Sequence, residues 1–174
     1  LDKILTKKVL IAERISTPKF FEAKDSQAFD LDHLKFPLIV KPRSEGTSKG
    51  ISEDAFITDE PRLRKRIDFI VNTYKQPALV EEFIMGEEFT VAIIGNDNPE
   101  VFDPVQIEID GKTQLGNLFY TFARVSSDRL RYVFPPKIDR ALSAKIKDLA
   151  LSTYRAVECR DFGRVDIRTD IDGN

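Results

Sequence analysis

The sequence predicts an α+β protein, and three observations lead to that class. Short apolar runs of strand character alternate with segments of helical periodicity, but without the strict strand–helix–strand repeat of a parallel sheet. The run "VFDPVQIEI" alternates apolar and polar residues, as a half-buried antiparallel strand does. The 174 residues, 41% of them hydrophobic, suffice for one sizeable core or two small lobes.

The first half of the chain opens with a helix and continues into a strand pair. Apolar residues recur at helical spacing over residues 2–14, and Asp2 suits the N-cap. The β-branched run "FPLIVKP" between two prolines predicts a strand over residues 36–42. "GISEDAFIT", residues 50–58, predicts a second strand, which would place the intervening loop at a hairpin tip. Residues 61–73 are predicted to form a helix, because Pro61 suits its first turn.

The second half adds further strands and the longest helical pattern. Strands are predicted in "ALVEEFI", "EEFTVAIIG", "VFDPVQIEI" and "GRVDIR", and a short one over residues 129–133. Residues 137–157 carry one apolar face at helical spacing. The closing "DIDGN" is typical of a hairpin turn, which needs a partner strand, and the chain opens without methionine. We therefore expect this sequence to be part of a longer protein.

Composition argues against several function classes. The 27 basic and 29 acidic residues leave a net charge of −2, so neither a general nucleic-acid binder nor a membrane-surface binder is indicated. No apolar run approaches the roughly 20 residues of a membrane span. Cys159 alone cannot form an internal disulfide, and the lone His33 cannot build a zinc site. We interpret Cys159 as a small buried residue and His33 as a surface residue.

Charged residues interrupt the apolar strands at several points. They are Lys41, Glu81, Glu88, Arg164 and Asp166. Each one alone is compatible with a solvated strand edge, but a charge beside a core is costly unless it is paired or bound. Together they describe one kind of ligand, with anionic groups for the cations and a metal or hydroxyl groups for the carboxylates.

The loop after residue 42 carries glycines and hydroxyl groups. Gly46 and Gly50 allow close backbone approach, and Thr47 and Ser48 add hydroxyl and N–H groups, as in loops that cradle phosphate. Neither the Walker A pattern nor the dinucleotide-binding pattern is present. The loop alone leaves a phosphate cradle and a plain hairpin turn open.

Four stretches, taken in order, resemble the ATP-grasp superfamily and, within it, the D-alanine–D-alanine ligase family. They are "LDKILTKKVLIAERISTP", "FPLIVKPRSEGTSKGIS", "ALVEEFIMGEEFTVAIIG" and "FGRVDIRTDIDG", and they span nearly the whole chain. The resemblance implies an α+β ATP-grasp fold of two lobes, each with an antiparallel sheet and helices, with the nucleotide site between them. It implies a linker helix and lead-in segment over residues 1–35, a lid subdomain over 36–83 and a partial, truncated C-terminal catalytic subdomain over 84–174.

The resemblance also implies roles for single residues. Lys3 and Lys41 match lysines that contact nucleotide phosphates, Lys41 at the α- and β-phosphates. The glycine-rich loop over residues 45–52 matches the loop that closes over the phosphates, through Glu45, Gly46, Thr47, Ser48 and Gly50. The hinge that holds adenine matches Glu81 and the backbone of Glu82, Phe83 and Ile84.

The remaining roles concern ribose, metal and the transferring phosphate. Glu88 matches the carboxylate that holds the ribose hydroxyls, Asp166 a magnesium ligand, and Arg164 the arginine that faces the transferring phosphate and the oxyanion. Family members carry "Y-x-A-K-Y", whereas this chain has "FYTFARVSSD", with Arg124 at the lysine position. Arginine neutralises phosphate with a bidentate fork, so Arg124 is a second catalytic candidate. The tyrosine and acidic pattern around it is missing, which leaves the substrate open.

The implied activity is an ATP-dependent carboxylate–amine ligase. It uses ATP and Mg²⁺ to form an acyl-phosphate and then an amide, giving a D-alanyl dipeptide for peptidoglycan in the cytoplasm. The implied partners are ATP and small amino acids, without nucleic acid or membrane, and with a homodimer of the full-length protein left open. The given sequence holds neither the family's N-terminal domain nor the E-x-N metal pair, so we expect it not to turn over by itself. Two alternatives stay open: an ATP-grasp ligase for another amino acid or peptide, and a non-catalytic nucleotide-binding or structural module.

Overall fold

The computed structural model describes residues 2–27, 29 and 31–174. Leu1, Ala28 and Asp30 fall within the predicted lead-in segment 1–35 and lie outside the described residues. The chain divides into two units. Unit 1 comprises Leu1–Lys7, Thr17–Phe83 and Tyr120–Ser127, and unit 2 comprises Lys8–Ser16, Ile84–Phe119 and Asp128–Asn174.

Unit 1 is built on an antiparallel sheet. Its strands are β1 (Phe20–Ala23), β2 (Leu38–Pro42), β3 (Phe56–Ile57) and β4 (Ala78–Glu82), in the order β1-β4-β2-β3. Its helices are α2 (Glu60–Tyr74) and the single turn α3 (Phe122–Val125), and α1 (Lys3–Ala12) contributes its first residues. The core forms where alternate strand residues such as Leu38 and Val40 meet Leu63, Ile67 and Ile70 of α2.

Local chemistry sets the limits of α2. The Asp59 side chain accepts a hydrogen bond from the backbone N–H of Arg62 at 3.0 Å, which caps the first turn. Lys75 ends the helix in the left-handed conformation, at φ 53°. The helix predicted over residues 61–73 is therefore confirmed, with one more residue at each end.

Unit 2 is built around the long strand β5. Its strands are β5 (Glu88–Ile94), β6 (Glu100–Val101), β7 (Val105–Ile109), β8 (Leu130–Val133) and β9 (Phe162–Arg168), and its long helix is α4 (Arg140–Ala156). Strand β9 pairs with β5 along its whole length, while β6 and β7 pair with separate parts of β5 and β8 pairs with β7, all antiparallel. One face of this sheet packs Phe89, Val91 and Ile93 against Ile146 and Ala150 of α4.

The alternation along β5 and β9 leaves a polar face on the other side of the sheet. Directly opposed pairs on that face are Glu88 with Arg168, and Thr90 with Asp166. Since successive side chains of a strand point to opposite faces, Arg164 shares it. Three of the five strand charges noted in the sequence, Glu88, Arg164 and Asp166, therefore form one strip in unit 2, whereas Lys41 and Glu81 lie on strands of unit 1.

The second strand of the predicted hairpin is shorter than expected. Only Phe56–Ile57 pairs with β2, and Glu53–Ala55 form a 3₁₀ turn. The carbonyl of Gly50 accepts a hydrogen bond from Arg66 at 2.5 Å, and that of Ile51 accepts one from the N–H of Phe122 at 3.0 Å. These carbonyls are bound by distant residues instead of by β2, so the strand begins later, although the loop still joins two antiparallel strands.

The predictions for the longest helix, for His33 and for Cys159 have different outcomes. The helix predicted over residues 137–157 begins at Arg140, because the Asp139 side chain caps it by accepting from Leu142 N–H at 2.7 Å. His33 is exposed, as predicted. Cys159 is a free thiol that is only half-buried, so the prediction that it is a buried residue is wrong. In the described part of the chain, none of the helices has the length and apolar character of a membrane crossing.

Candidate functional site

A carboxylate held by two lysines lies in the interior of unit 1. Glu81 of β4 is buried, and its Oε1 lies 2.6 Å from Nζ of Lys41 on β2. Its Oε2 lies 2.8 Å from Nζ of Lys7 on α1, and Lys7 is buried as well. The side chain of Lys41 keeps 25% exposure. Lys7 was missed from the sequence, although it lies one helical turn beyond Lys3, on the same face of α1.

Lys3 holds the start of the glycine-rich loop. Its Nζ donates to the carbonyl of Pro42 at 2.9 Å, where β2 ends, and also to the carbonyl of Glu45. The predicted phosphate lysine therefore also secures the backbone from which the loop departs. Lys3, Lys7, Lys41 and Glu81 form one cluster, which we call the lysine cluster.

The lysine cluster carries more positive than negative charge. Burial lowers the pKa of Lys3, and the neighbouring Lys41 lowers it further. Burial also lowers the pKa of Lys7, against the opposing effect of Glu81. Burial alone would raise the pKa of Glu81, but Lys41 and Lys7 outweigh it and hold that pKa at about 2. The ammonium groups of Lys3, Lys7 and Lys41 all lie near the Glu81 carboxylate, although Glu45 and Asp2 also act on Lys3. Such a group of cations suits an anionic ligand.

The loop over residues 45–52 folds as a tight turn. Thr47 and Ser48 both adopt left-handed backbone conformations, at φ 50° and 53°. The N–H of Lys49 donates to the carbonyl of Gly46 at 2.9 Å, and its Nζ lies 3.1 Å from Oε2 of Glu45. Thus the tip is closed by its own hydrogen bonds.

Gly50 is required by its surroundings. A Cβ at this position would lie 2.4 Å from Cγ of Pro42 and 3.0 Å from a ring carbon of Tyr74, and the φ of +78° disfavours other residues. Gly46, by contrast, has open space around a Cβ. The two loop glycines therefore have different structural requirements.

The predicted adenine hinge spans the end of β4. The N–H of Glu82 donates to the carbonyl of Lys19 at 3.0 Å, and the N–H of Phe83 donates to the carbonyl of Pro37 at 2.9 Å. Residues 82 and 83 are thus anchored within unit 1. The next residue, Ile84, begins the second segment of unit 2.

The polar face of unit 2 brings together the predicted metal and phosphate residues. Nε of Arg164 lies 3.0 Å from Oδ1 of Asp166, and the Thr90 hydroxyl donates to the same oxygen at 2.8 Å. Both Arg164 and Asp166 are exposed. Among the residues that the structure describes, no group of three or more His, Cys, Asp or Glu side chains is arranged to hold a metal ion.

Glu88, the predicted ribose carboxylate, is paired with an arginine that the sequence reasoning missed. Its Oε2 lies 2.8 Å from Nη1 of Arg168, and both side chains are largely buried. The signal was present in the sequence, because "RVDIR" places Arg164, Asp166 and Arg168 at alternate positions of one strand.

Arg124 lies in unit 1, and Arg164, the other catalytic candidate, lies in unit 2. The Arg124 side chain is buried, and its Nη2 lies 3.0 Å from Oε1 of Glu53, just after the glycine-rich loop. The N–H of Phe122, in the same turn of helix, donates to the Ile51 carbonyl. The structure therefore connects the Arg124 segment to the C-terminal end of that loop.

Solved structures with the same architecture identify the class of fold. The D-alanine–D-alanine ligase from Bacillus anthracis aligns with a TM-score of 0.77 and 26% identity, over 99% of this chain and 53% of that one. The VanG D-Ala:D-Ser ligase from Enterococcus faecalis aligns with a TM-score of 0.75 and 25% identity, over 99% and 49%. The fold is therefore the α+β ATP-grasp class, as the sequence predicted.

The chain belongs to the D-alanine–D-alanine ligase family, since the family described as D-ala D-ala ligase C-terminus matches residues 12–174. The D-alanine–D-alanine ligase of Carboxydothermus hydrogenoformans is 39% identical over 185 aligned residues, which cover 100% of this chain and 55% of that protein. The chain spans about half the length of the curated relatives that it matches. The family resemblance inferred from the four stretches is confirmed.

Proposed function

We propose that this chain forms the nucleotide-binding part, and some of the catalytic part, of an ATP-dependent carboxylate–amine ligase that makes a D-alanyl dipeptide for peptidoglycan precursors. The observation that carries the proposal is the lysine cluster. In a chain of this family, the ammonium groups of Lys3, Lys7 and Lys41 gather near Glu81, and Lys3 binds the Pro42 carbonyl, where the glycine-rich loop begins. A triphosphate is the ligand that such a group of cations suits, since Lys41 remains partly exposed.

The reaction proposed has two steps. A carboxylate oxygen of the first amino acid attacks the γ-phosphorus of ATP, which forms an acyl-phosphate and releases ADP. The amine of the second amino acid then attacks the carbonyl carbon, phosphate leaves, and the amine loses a proton. Both steps depend on positioning and charge neutralisation, which cations on the phosphates and on the oxyanion provide.

Each predicted residue has a part in this proposal. Lys41, with its partly exposed ammonium group, binds the α- and β-phosphates, and Lys3 supports them while it holds the loop. The loop over residues 45–52 covers the phosphates and excludes water, which protects an acyl-phosphate. Arg164 faces the transferring phosphate and the oxyanion, Glu88 holds the ribose, and the hinge at residues 81–84 receives adenine.

Magnesium belongs to the same proposal. Mg²⁺ prefers one or two carboxylates together with phosphate oxygens and water. Asp166 offers one exposed carboxylate on the polar face of unit 2 and would hold the ion. When bound, Mg²⁺ neutralises charge on the phosphates, and Arg164, which already contacts Asp166, lies beside that site. The subdomain limits at 36–83 and 84–174 also stay predictions.

The second amino acid is the open part of the substrate. The VanG relative is a D-Ala:D-Ser ligase, so fold relatives differ in the residue that they add. In this chain Arg124 replaces the family lysine and binds Glu53. A ligase for another amino acid is therefore the second candidate, whereas family membership disfavours a non-catalytic module.

A cytoplasmic location, a homodimer, and the absence of nucleic-acid and membrane partners are further parts of the proposal.

An activity screen of the natural gene product tests the proposal. Phosphate release from ATP is measured with D-alanine alone and with D-alanine plus D-serine, L-alanine or D-lactate, and products are identified by mass spectrometry. We expect release that depends on D-alanine and yields D-alanyl-D-alanine. Release only with a second amino acid supports the other-substrate candidate, and no stimulation by any amino acid contradicts the ligase proposal. Calorimetric titration of this chain with Mg-ATP tests nucleotide binding separately.

A further inference from the structure

Arg168, the last residue of β9, connects separate segments of unit 2. Its Nη1 lies 2.8 Å from Oε2 of Glu88, and its Nε donates to the carbonyl of Ile84 at 2.8 Å. Further hydrogen bonds reach the carbonyls of Leu118 at 3.1 Å and Gly116 at 3.2 Å. These contacts use most of the N–H donors of a guanidinium group. One side chain thus binds the Ile84 carbonyl, the start of β5 and the loop over residues 116–118.

The register of the sheet places this group at the predicted nucleotide site. Antiparallel pairing puts Arg168 directly opposite Glu88, and directly opposed side chains share a face. Arg164 and Asp166 lie on the same face, because side chains alternate along β9. The Glu88–Arg168 pair therefore continues the strip that holds the predicted phosphate and metal residues.

Burial makes the pair difficult to replace. The side chains of Arg168 and Glu88 are 16% and 12% exposed. Burial lowers the pKa of Arg168, and the Glu88 carboxylate counteracts that effect. Removing either partner leaves a largely buried charge without its counter-charge, which is strongly unfavourable. Since the three carbonyl acceptors are neutral, Glu88 supplies the counter-charge, and the guanidinium fork fixes its orientation.

We propose that Arg168 is a positioning residue of the nucleotide site, which orients the Glu88 carboxylate toward the ribose hydroxyls and fixes the Ile84 carbonyl at the adenine edge. The inference rests on the proposed function, because the family resemblance assigns Glu88 and Ile84 those two roles. A lysine at this position would present a single ammonium group, which cannot reach the same four acceptors. Ribose recognition is thereby a property of the Glu88–Arg168 pair.

The test compares ATP with 2′-deoxyATP, each with Mg²⁺, by isothermal titration calorimetry on this chain. A hydrogen bond from a ribose hydroxyl to a well-oriented carboxylate corresponds to about tenfold in affinity or more, so the wild type should prefer ATP by about that factor. In Arg168→Met the preference should fall to about threefold or less, while the phosphate contacts keep ATP bound. Arg160→Met, at an exposed arginine of the same unit, should leave the preference unchanged.

Arg168→Lys keeps the inference testable if the methionine variant does not fold. The lysine retains the charge opposite Glu88 but not the fork, so the preference for ATP should again decrease. An unchanged preference in a folded Arg168 variant overturns the inference. Tighter ATP binding in Arg168→Met also overturns it, since the guanidinium group would then obstruct the pocket.

The affinities of the wild-type chain for ATP and 2′-deoxyATP distinguish failure of this inference from failure of the proposed function. Binding of both nucleotides with equal affinity overturns the inference and the ribose role of Glu88, but leaves ATP binding in place. Binding of neither nucleotide overturns the proposed nucleotide site itself, and the role of Arg168 with it.

Discussion

Lys41 of β2 and Glu81 of β4 form an ion pair of 2.6 Å between Nζ and Oε1. Strand pairing sets this contact, because Lys41 stands opposite Leu79 and its side chain shares a face with that of Glu81, two residues further along β4. Lys7 neutralises the same carboxylate from α1. Glu81 therefore does not depend on Lys41 alone for its counter-charge, and Lys41 is able to bind a second anion.

Replacing Lys41 should weaken nucleotide binding and leave the fold intact. In Lys41→Met, Glu81 still has Lys7 at 2.8 Å, so the melting temperature should stay close to that of the wild type. Loss of a charged phosphate contact should raise the Kd for Mg-ATP by about 10- to 100-fold, measured by calorimetry. Lys65→Met is the control, since Lys65 is exposed on α2 and lies outside the glycine-rich loop, so its effect on the Kd should be about threefold or less. Equal effects of the two variants would argue that Lys41 has no special role.

The acid stability of the protein should depend on Glu81. Its pKa is about 2 in the folded chain, below its ordinary value of 4.5. A carboxylate with a lowered folded pKa contributes stability that is fully present above the unfolded value and is lost as the pH falls toward the folded value. The contribution lost between about pH 4.5 and 2 is roughly 3 kcal/mol. Urea unfolding of the wild type at a series of pH values should show this loss.

The matched variants isolate the Glu81 effect. Glu81→Gln leaves Lys7 buried without its carboxylate partner, so it should be less stable at pH 7 by about 3 kcal/mol and should lose less stability on acidification. Glu13→Gln, at an exposed position, should follow the wild type. Parallel pH curves for all three proteins would contradict the assignment.

The charges inside strands predicted much of the candidate site, because their pairing depends on strand order and alternation. Lys41, Glu81, Glu88, Arg164 and Asp166 lie on strands of the predicted kind. A charge beside an apolar run must be paired or bound, and that argument needs no knowledge of the distant chain. Their functional roles stay predictions from the family resemblance.

The partners of those charges could not be predicted in the same way. Lys7 reaches Glu81 because the first residues of α1 belong to unit 1, a tertiary arrangement that no local pattern indicates. Arg168 finds its acceptors in three segments, and no local pattern brings them together. The late start of the strand predicted over residues 50–58 has the same cause, since Arg66 and Phe122 bind its first carbonyls. In each case contacts between segments that are distant in the sequence determine the partner or the strand boundary.

The two loop glycines should respond differently to alanine. In Gly50→Ala the added Cβ would lie 2.4 Å from Cγ of Pro42, in a backbone conformation with φ of +78°. Left-handed strain alone costs about 1–2 kcal/mol, so the total loss of unfolding free energy should be about 2 kcal/mol or more. Gly46→Ala places its Cβ in open space and should change stability by about 0.5 kcal/mol or less. Chemical unfolding measures both, and equal losses would contradict the close contact at Gly50.

Asp166 should determine the magnesium dependence of nucleotide binding. Its carboxylate is 52% exposed, and its contacts are with Arg164 and Thr90, so Asp166→Asn should alter unfolding free energy by about 0.5 kcal/mol or less. The wild type should bind ATP more tightly with Mg²⁺ than with EDTA, because the carboxylate and the phosphates share the ion. In Asp166→Asn this ratio should fall several-fold toward unity, whereas Asp148→Asn, at an exposed position on α4, should preserve it. A ratio that stays at the wild-type value in Asp166→Asn would place the metal contact elsewhere, and a ratio that falls equally in both variants would point to a general effect of lost negative charge.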